Sequence, residues 1–282
     1  MRQGSGISSA ALGIGRRGLS TVAGSIGRGG MDIPVRRSRG MAGMSVPTNG
    51  MVLWCMASPN GTAQTTNGPA SAIAVWRDFS GTKNHMIQNT SGKQPSVNKN
   101  QQGGKDSITF AAAEFMLSKS SSACDFGTGQ FDIYMIYKGS NVGGTKVVYS
   151  NTTSASATGF DLRRFALETF RGKLYNSGVK QTAATPQLGN SKGFWFSRFH
   201  RKSDDAVELD YDCIDGTSGT KAVSGGSNKD ISAGKFSLGA YTNGNTGSGM
   251  NVTEILIYSR DLSDAESASV KSYLSNKYSL GL

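Results

Sequence analysis

The chain has 282 residues and a net charge of +11, with 38 glycines against 6 prolines. That length holds one large β domain with an extension, or two small domains, and the positive balance suits an acidic partner, a nucleic acid or a neighbour of opposite field. No apolar run reaches the ~18 residues of a membrane span, and the N-terminus lacks the apolar stretch of a secretory leader, so neither is expected.

Residues 1–48 differ from the rest. They carry Arg2, Arg16, Arg17, Arg28, Arg36, Arg37 and Arg39 against one acid, Asp32, and no aromatic residue precedes Trp54. A segment so poor in apolar surface cannot fold alone. One reading is an anchoring arm, with planar guanidinium donors on a glycine-rich backbone that can follow a narrow groove. The other is a disordered basic tail. Nucleic-acid binding is the less expected use of these charges, because no aromatics are interleaved to stack on bases. Gly13-Ile14-Gly15-Arg16-Arg17-Gly18 matches a dinucleotide-binding pattern by letters only, since no strand precedes it.

Residues 49–282 have the texture of an all-β domain, with short apolar runs separated by Gly, Ser, Thr and Asn. Strands are expected at 51–56, 131–138, 146–150, 159–167, 169–175, 193–200, 206–214, 235–241 and 251–258. Alternation puts Val252, Glu254, Leu256 and Tyr258 on one face of the last strand and Ile255 and Ile257 on the other. Two covered faces argue for an inner strand. Ser263-Asp264-Ala265-Glu266 then reads as a capping box. It opens a helix with Val270, Tyr273, Leu274 and Tyr278 as its apolar stripe, and Gly281 as its stop signal. Cys55, Cys124 and Cys213 fit neither a disulfide framework nor a zinc spacing. They read as small buried hydrophobes, suited to assembly in a reducing cytosol.

The C-terminal residues Glu254, Ile255, Tyr258, Arg260, Leu262, Ser263, Glu266, Tyr273, Leu274, Lys277 and Tyr278 form E-I-x-x-Y-x-R-x-L-S-x-x-E followed by Y-L-x-x-K-Y. This resembles the C-terminal signature of laminin-G-like, concanavalin A-like jelly-roll domains, of the kind found in bacteriophage structural and surface proteins. Trp76, Asp78, Ser80, Gly81 and Asn84 resemble the W-x-D-x-S-G-x-x-N segment of the same domains, and Pro95 fits a later position. The three polar side chains are short enough to fix a turn. The resemblance implies a two-sheet antiparallel jelly-roll β-sandwich with a C-terminal helix. It also implies a non-enzymatic subunit of a virion (capsid decoration, collar, tail or fibre), held by its arm to other virion proteins. Such a subunit would be assembled in the host cytoplasm. The alternative is a carbohydrate-binding adhesin for host-surface glycans, with Trp195, Tyr241, Asn243 and Asn245 as its contact residues. A glycoside hydrolase is the weaker alternative.

Glu208, Asp210 and Asp212 share one strand face by period two. Some concanavalin A-like glycosidases carry E-x-D-x-x-E on such a strand, with paired carboxylates flanking the scissile bond. Here Cys213 stands where the second Glu belongs, so the row is expected to be a solvated face backed by Leu209, Tyr211 and Cys213 in the core. His85 and His200 occur in unrelated contexts, and no H-E-x-x-H or nucleophile triad appears. No D-x-D-x-D-G calcium loop is present. No metal or cofactor is expected.

Overall fold

A computed structural model describes residues 45–58, 62–64, 72–139, 144–154, 157–165, 169–176, 178–188, 193–202, 206–225, 229–232 and 234–282. The arginines expected to anchor an arm, Arg2 to Arg39, lie outside these residues. Val46 is buried and the Pro47 carbonyl accepts from the Tyr258 hydroxyl at 3.1 Å. Those two residues therefore belong with the sandwich, not with the arm to which the sequence reading assigned them.

The chain begins with β1 (Met51–Met56), β2 (Thr62–Gln64), β3 (Ile73–Trp76) and β4 (Met86–Ile87), then β5 (Ser96–Gln102), β6 (Lys105–Phe110) and β7 (Met116–Ser118). The middle supplies β8 (Phe131–Gly139), β9 (Lys146–Ser150), β10 (Gly159–Arg164), β11 (Phe170–Tyr175) and β12 (Val179–Gln181). A meander of β13 (Trp195–Arg201), β14 (Val207–Cys213) and β15 (Ser218–Val223) follows, then β16 (Ser237–Leu238), β17 (Met250–Tyr258) and α1 (Asp264–Tyr278).

These strands make two antiparallel sheets. The first runs β15-β14-β13-β8-β17-β6-β5, with β1 also paired to β17; the second runs β12-β11-β10-β9-β16-β7-β4-β3-β2. Their inner faces meet over Leu53, Ile133, Met135, Trp195, Phe199 and Leu209 from one side. Trp76, Val148, Phe160, Leu162, Leu174 and Leu238 come from the other. The architecture is a two-sheet antiparallel jelly-roll β-sandwich with a C-terminal helix on the outer face of the first sheet. Among the described residues no helix is long and apolar enough to cross a membrane.

Strand β17 departs from simple alternation. A bulge between Val252 and Glu254 inserts one residue, Thr253. One extra residue moves every later side chain to the opposite face. Val252 therefore joins Ile255 and Ile257 in the core, while Glu254, Leu256 and Tyr258 face α1. The inner-strand expectation holds, because β17 pairs with β8 on one side and with β6 and β1 on the other.

The motif residues have mechanical roles. The Asp78 carboxylate accepts from the backbone N–H groups of Trp54, Ser80 and Asn84 at 2.8–2.9 Å, and from the Ser80 and Thr82 hydroxyls at 2.9 Å. It knots the loop after β3 onto β1. Ser263 and Glu266 form a reciprocal capping box, and Arg260 grips Glu266 through two bonds of 2.5 and 2.9 Å. That grip, with the Ser263 N–H, holds the Glu266 carboxyl down at about 2. The helix ends earlier than its glycine suggests: Ser279 takes the left-handed conformation (φ 53°) and its N–H closes on the Ser275 carbonyl. All three cysteines are buried and outside any disulfide. Burial pushes the Cys55 and Cys124 thiols well up, so they behave as inert hydrophobes.

Candidate functional site

The meander β13-β14-β15 sets out a charged surface by register alone. Trp195, Phe199, Leu209, Tyr211 and Cys213 turn into the core, which leaves Phe196, Arg198 and His200 outward on β13 and Glu208, Asp210 and Asp212 outward on β14. Directly opposed pairs are Phe196 with Asp212, Arg198 with Asp210, and His200 with Glu208. On the next strand Thr220 stands opposite Asp210 and Ser218 opposite Asp212. A basic row therefore faces an acidic row, the favourable cross-strand arrangement.

Helix α1 lies beside these rows and contributes Asp264, Ser267 and Lys271. Between helix and strands is a groove of about 400 Å³, walled by Phe196, Arg198, Asp210, Asp212, Thr220 and Lys271 among others. That volume is within the range of small-ligand sites, roughly 300–1,000 Å³. Lys271 reaches across it to Asp212 at 2.6 Å, and the Thr220 hydroxyl donates to Asp210 Oδ1 at 2.6 Å.

Behind the groove the charges continue inward. Buried Asp132 accepts from Arg198 Nε and Nη2 at 2.6 and 2.9 Å and from the Leu262 N–H at 2.7 Å. Arg198 also reaches Asp261 at 3.1 Å. The His200 ring is 1% exposed. Its Nδ1 lies 3.4 Å from Asp261 and 3.8 Å from Asp132, and its Nε2 lies 3.3 Å from Glu208 and 3.4 Å from Asp210. Burial alone would lower the imidazole, but the Asp210 and Asp261 carboxylates beside it outweigh that and raise it to about 9. Burial likewise works upward on Asp210, and is overcome by His200 and Thr220, which hold its carboxyl below the ordinary range.

The acidic row is thus not the solvated face expected from sequence. It is partly buried, and each member has a cation: His200 and Lys202 for Glu208, His200 and Arg198 for Asp210, Lys271 for Asp212. The reason is the Arg-x-His spacing on β13, complementary to Glu-x-Asp on β14. That signal was present in the sequence, but only strand register gives it meaning. Chemically the row can accept hydrogen bonds. A glycosidase acid needs a carboxyl pushed upward to carry a proton, and Asp210 is driven the other way.

The four residues expected to contact glycan are not brought together. Trp195 is fully buried on the core face of β13, its ring 4.3 Å from Tyr137 and 4.7 Å from Phe170, so it cannot serve as a sugar platform. The alternation that turned Phe196 outward turned Trp195 inward. Tyr241 is also buried, against the Arg163 guanidinium at 5.4 Å. Asn243 and Asn245 are exposed, and the Asn243 side chain accepts from the Asn245 N–H at 2.9 Å, fastening its own loop.

Tyr241 marks a second polar centre, on the outer face of β10, that sequence reading missed. Asp161 Oδ2 accepts from Arg163 Nε and Nη2 at 2.8 and 2.7 Å. The guanidinium lies over the rings of Tyr175 and Tyr241. Burial pushes the Asp161 carboxyl up to about 6 despite Arg163. The alternation of Asp161 and Arg163 with Phe160 and Leu162 was the available signal.

No family model and no curated protein sequence matches the chain. Solved structures share its fold. The binding domain of Paraclostridial Mosquitocidal Protein 1 superposes with a TM-score of 0.57 at 11% identity, over 81% of this chain and 53% of that one. A GH54 α-L-arabinofuranosidase superposes at 0.56 and 11% identity, over 81% and 63%. Trypanosoma rangeli sialidase in complex with sialic acid gives 0.54 and 15% identity, over 82% and 34%. The chain thus spans between a third and two thirds of these structures. They overturn the expectation of a virion subunit: the sandwich is shared with a toxin's binding domain and two sugar-processing enzymes, and these carry no sign of a particle protein.

Proposed function

We propose that this protein is a non-enzymatic carbohydrate-binding domain, of laminin-G-like type, that holds glycan in the groove between α1 and β13-β14-β15. The observation that carries the reading is the groove itself. Its volume of about 400 Å³ suits a mono- or disaccharide, and its walls alternate carboxylates, hydroxyls and an ammonium group. Sugar hydroxyls both donate and accept, so a wall offering both partners matches them. The jelly-roll sandwich adds support through the fold alone.

Charge narrows the ligand. Asp210, Asp212 and Asp264 outnumber Arg198 and Lys271 in the groove wall, so an acidic sugar meets repulsion and a neutral or amino sugar does not. The test is a glycan array probed with the full chain, followed by calorimetry on the sugars retained. Asp210→Asn and Asp212→Asn are each expected to weaken binding about tenfold or more. A hydrogen bond to a charged group is worth about 1.5–3 kcal/mol, and about 1.4 kcal/mol is tenfold. Binding that survives both changes but is lost in Tyr241→Ala would move the site to the second sheet and overturn the assignment to the groove.

A further inference from the structure

We propose that His200, Glu208 and Asp210 form a site for a first-row divalent metal ion of the zinc type, at the inner end of the acidic row. The three ligand atoms converge on one point. His200 Nε2 lies 3.3 Å from Glu208 Oε2 and 3.4 Å from Asp210 Oδ2, and the three groups offer ligand atoms within 4.8 Å of one another. A tetrahedral ion with bonds of about 2.0–2.1 Å spaces neighbouring ligand atoms about 3.3–3.4 Å apart. The two nitrogen–oxygen edges already have that length.

An acidic pair alone would mean little, since exposed carboxylates often cluster. The histidine supplies the independent observation. It is fully buried, and Nε2 lies within ion-pair distance of both carboxylates without a well-formed hydrogen bond to either. A buried polar atom aimed between two carboxylate oxygens without bonding either needs an explanation. An ion between the three atoms provides it.

The surroundings are those of a built site. Metal-ligating histidines give their other ring N–H to a carboxylate, which fixes the tautomer and the ring orientation. Here Nδ1 faces Asp261 at 3.4 Å, with Asp132 behind it at 3.8 Å. Asp132 is itself saturated by Arg198 and the Leu262 N–H, so it serves as support and not as a ligand. Thr220 engages Asp210 Oδ1, which leaves Oδ2 to coordinate through one oxygen. Arg198 Nη1, at 3.9 Å, is its remaining cationic neighbour. Lys202, 3.6 Å from Glu208, is part-exposed.

An imidazole with two carboxylates favours a transition ion, whereas calcium wants six to eight oxygens. Asp210 also lines the groove, which gives an entry path.

The experiment uses the full chain, stripped with chelator and without sugar, so its outcome is separate from glycan binding. Zinc is added by calorimetry, and cobalt is followed by its visible bands. The expected result is one saturable zinc site, four-coordinate cobalt bands and a raised Tm. Glu208→Gln, at a part-exposed position that tolerates the change, should weaken zinc at least tenfold and abolish the bands. Asp261→Asn, which removes the carboxylate facing the ring Nδ1, should weaken it about 10- to 100-fold. Absence of saturable binding overturns the proposal, and so does zinc affinity unchanged in both variants.

Discussion

Glu254→Gln tests what fastens the helix to the sandwich. Glu254 is fully buried, and its two oxygens are saturated. Oε1 accepts from the Trp54 indole N–H at 2.5 Å and the Tyr273 hydroxyl at 3.0 Å. Oε2 accepts from Lys277 at 2.6 Å and the Tyr278 hydroxyl at 2.6 Å. One carboxylate therefore joins β1, β17 and α1. Glutamine keeps the shape but turns one oxygen into an NH₂ group. A tyrosine hydroxyl can rotate and accept from it, while an indole N–H or an ammonium cannot. Either orientation of the amide thus strands Trp54 or Lys277.

Removing one member of a buried ion pair costs about 3–5 kcal/mol. Lys277 keeps 11% of its side-chain surface, so the lower end, about 3 kcal/mol, is expected. Against a total stability of about 5–15 kcal/mol, that is a large fraction. Urea denaturation read by tryptophan fluorescence measures it, with Lys277→Met and the double variant completing a cycle. The double variant should recover part of the loss, because no charge is then left unpaired. A loss below about 1 kcal/mol in Glu254→Gln, or strict additivity in the cycle, would show that the carboxylate is not the fastening.

The other expectations are shorter. Leu274→Ala removes a fully buried side chain of α1 and should cost about 2–5 kcal/mol, while Ser263→Ala, which strips the cap, should cost about 0.5–2 kcal/mol; both are read from melting curves. Asp161 has a folded value of about 6, raised from 3.8, so the native state holds its proton more tightly. Its stabilisation is full below the unfolded value and is lost as pH rises through about 6, so the stability of the wild type relative to Asp161→Asn should fall by about 2 kcal/mol between pH 4 and 6. A flat difference across that window would refute the assignment. Purified protein should release no reducing ends from polysaccharides; activity abolished by Glu208→Gln would overturn the non-enzymatic reading.

Much of the fold was legible because local chemistry repeats it. Ser263 and Glu266 announce a helix start by themselves, and the Leu209-Tyr211-Cys213 alternation fixes which face of β14 is buried. What failed depended on partners remote in sequence. The bulge at Thr253 is invisible until β17 is laid against β8. Trp195 and Phe196 are neighbours in sequence, and which of them faces the core is decided by pairing with β8 and β14. The virion reading came from a resemblance in the terminal motif, and that motif describes how Arg260, Ser263 and Glu266 cap a helix, not what the sandwich binds.

The outer face of the first sheet carries two polar clusters, and their contrast separates fastening from function. Glu254 is sealed: four donors occupy both oxygens and α1 covers them. A cluster so satisfied has no capacity left for a ligand, and its charge is spent on holding β1, β17 and α1 together. Glu208 and Asp210 retain part of their surface, and His200 Nε2 between them forms no hydrogen bond. A buried ring nitrogen left without a hydrogen bond is costly unless something fills the gap beside it. The difference is the course of α1, which crosses over Glu254 with its last turns and leaves the β13–β14 ladder open beside its first.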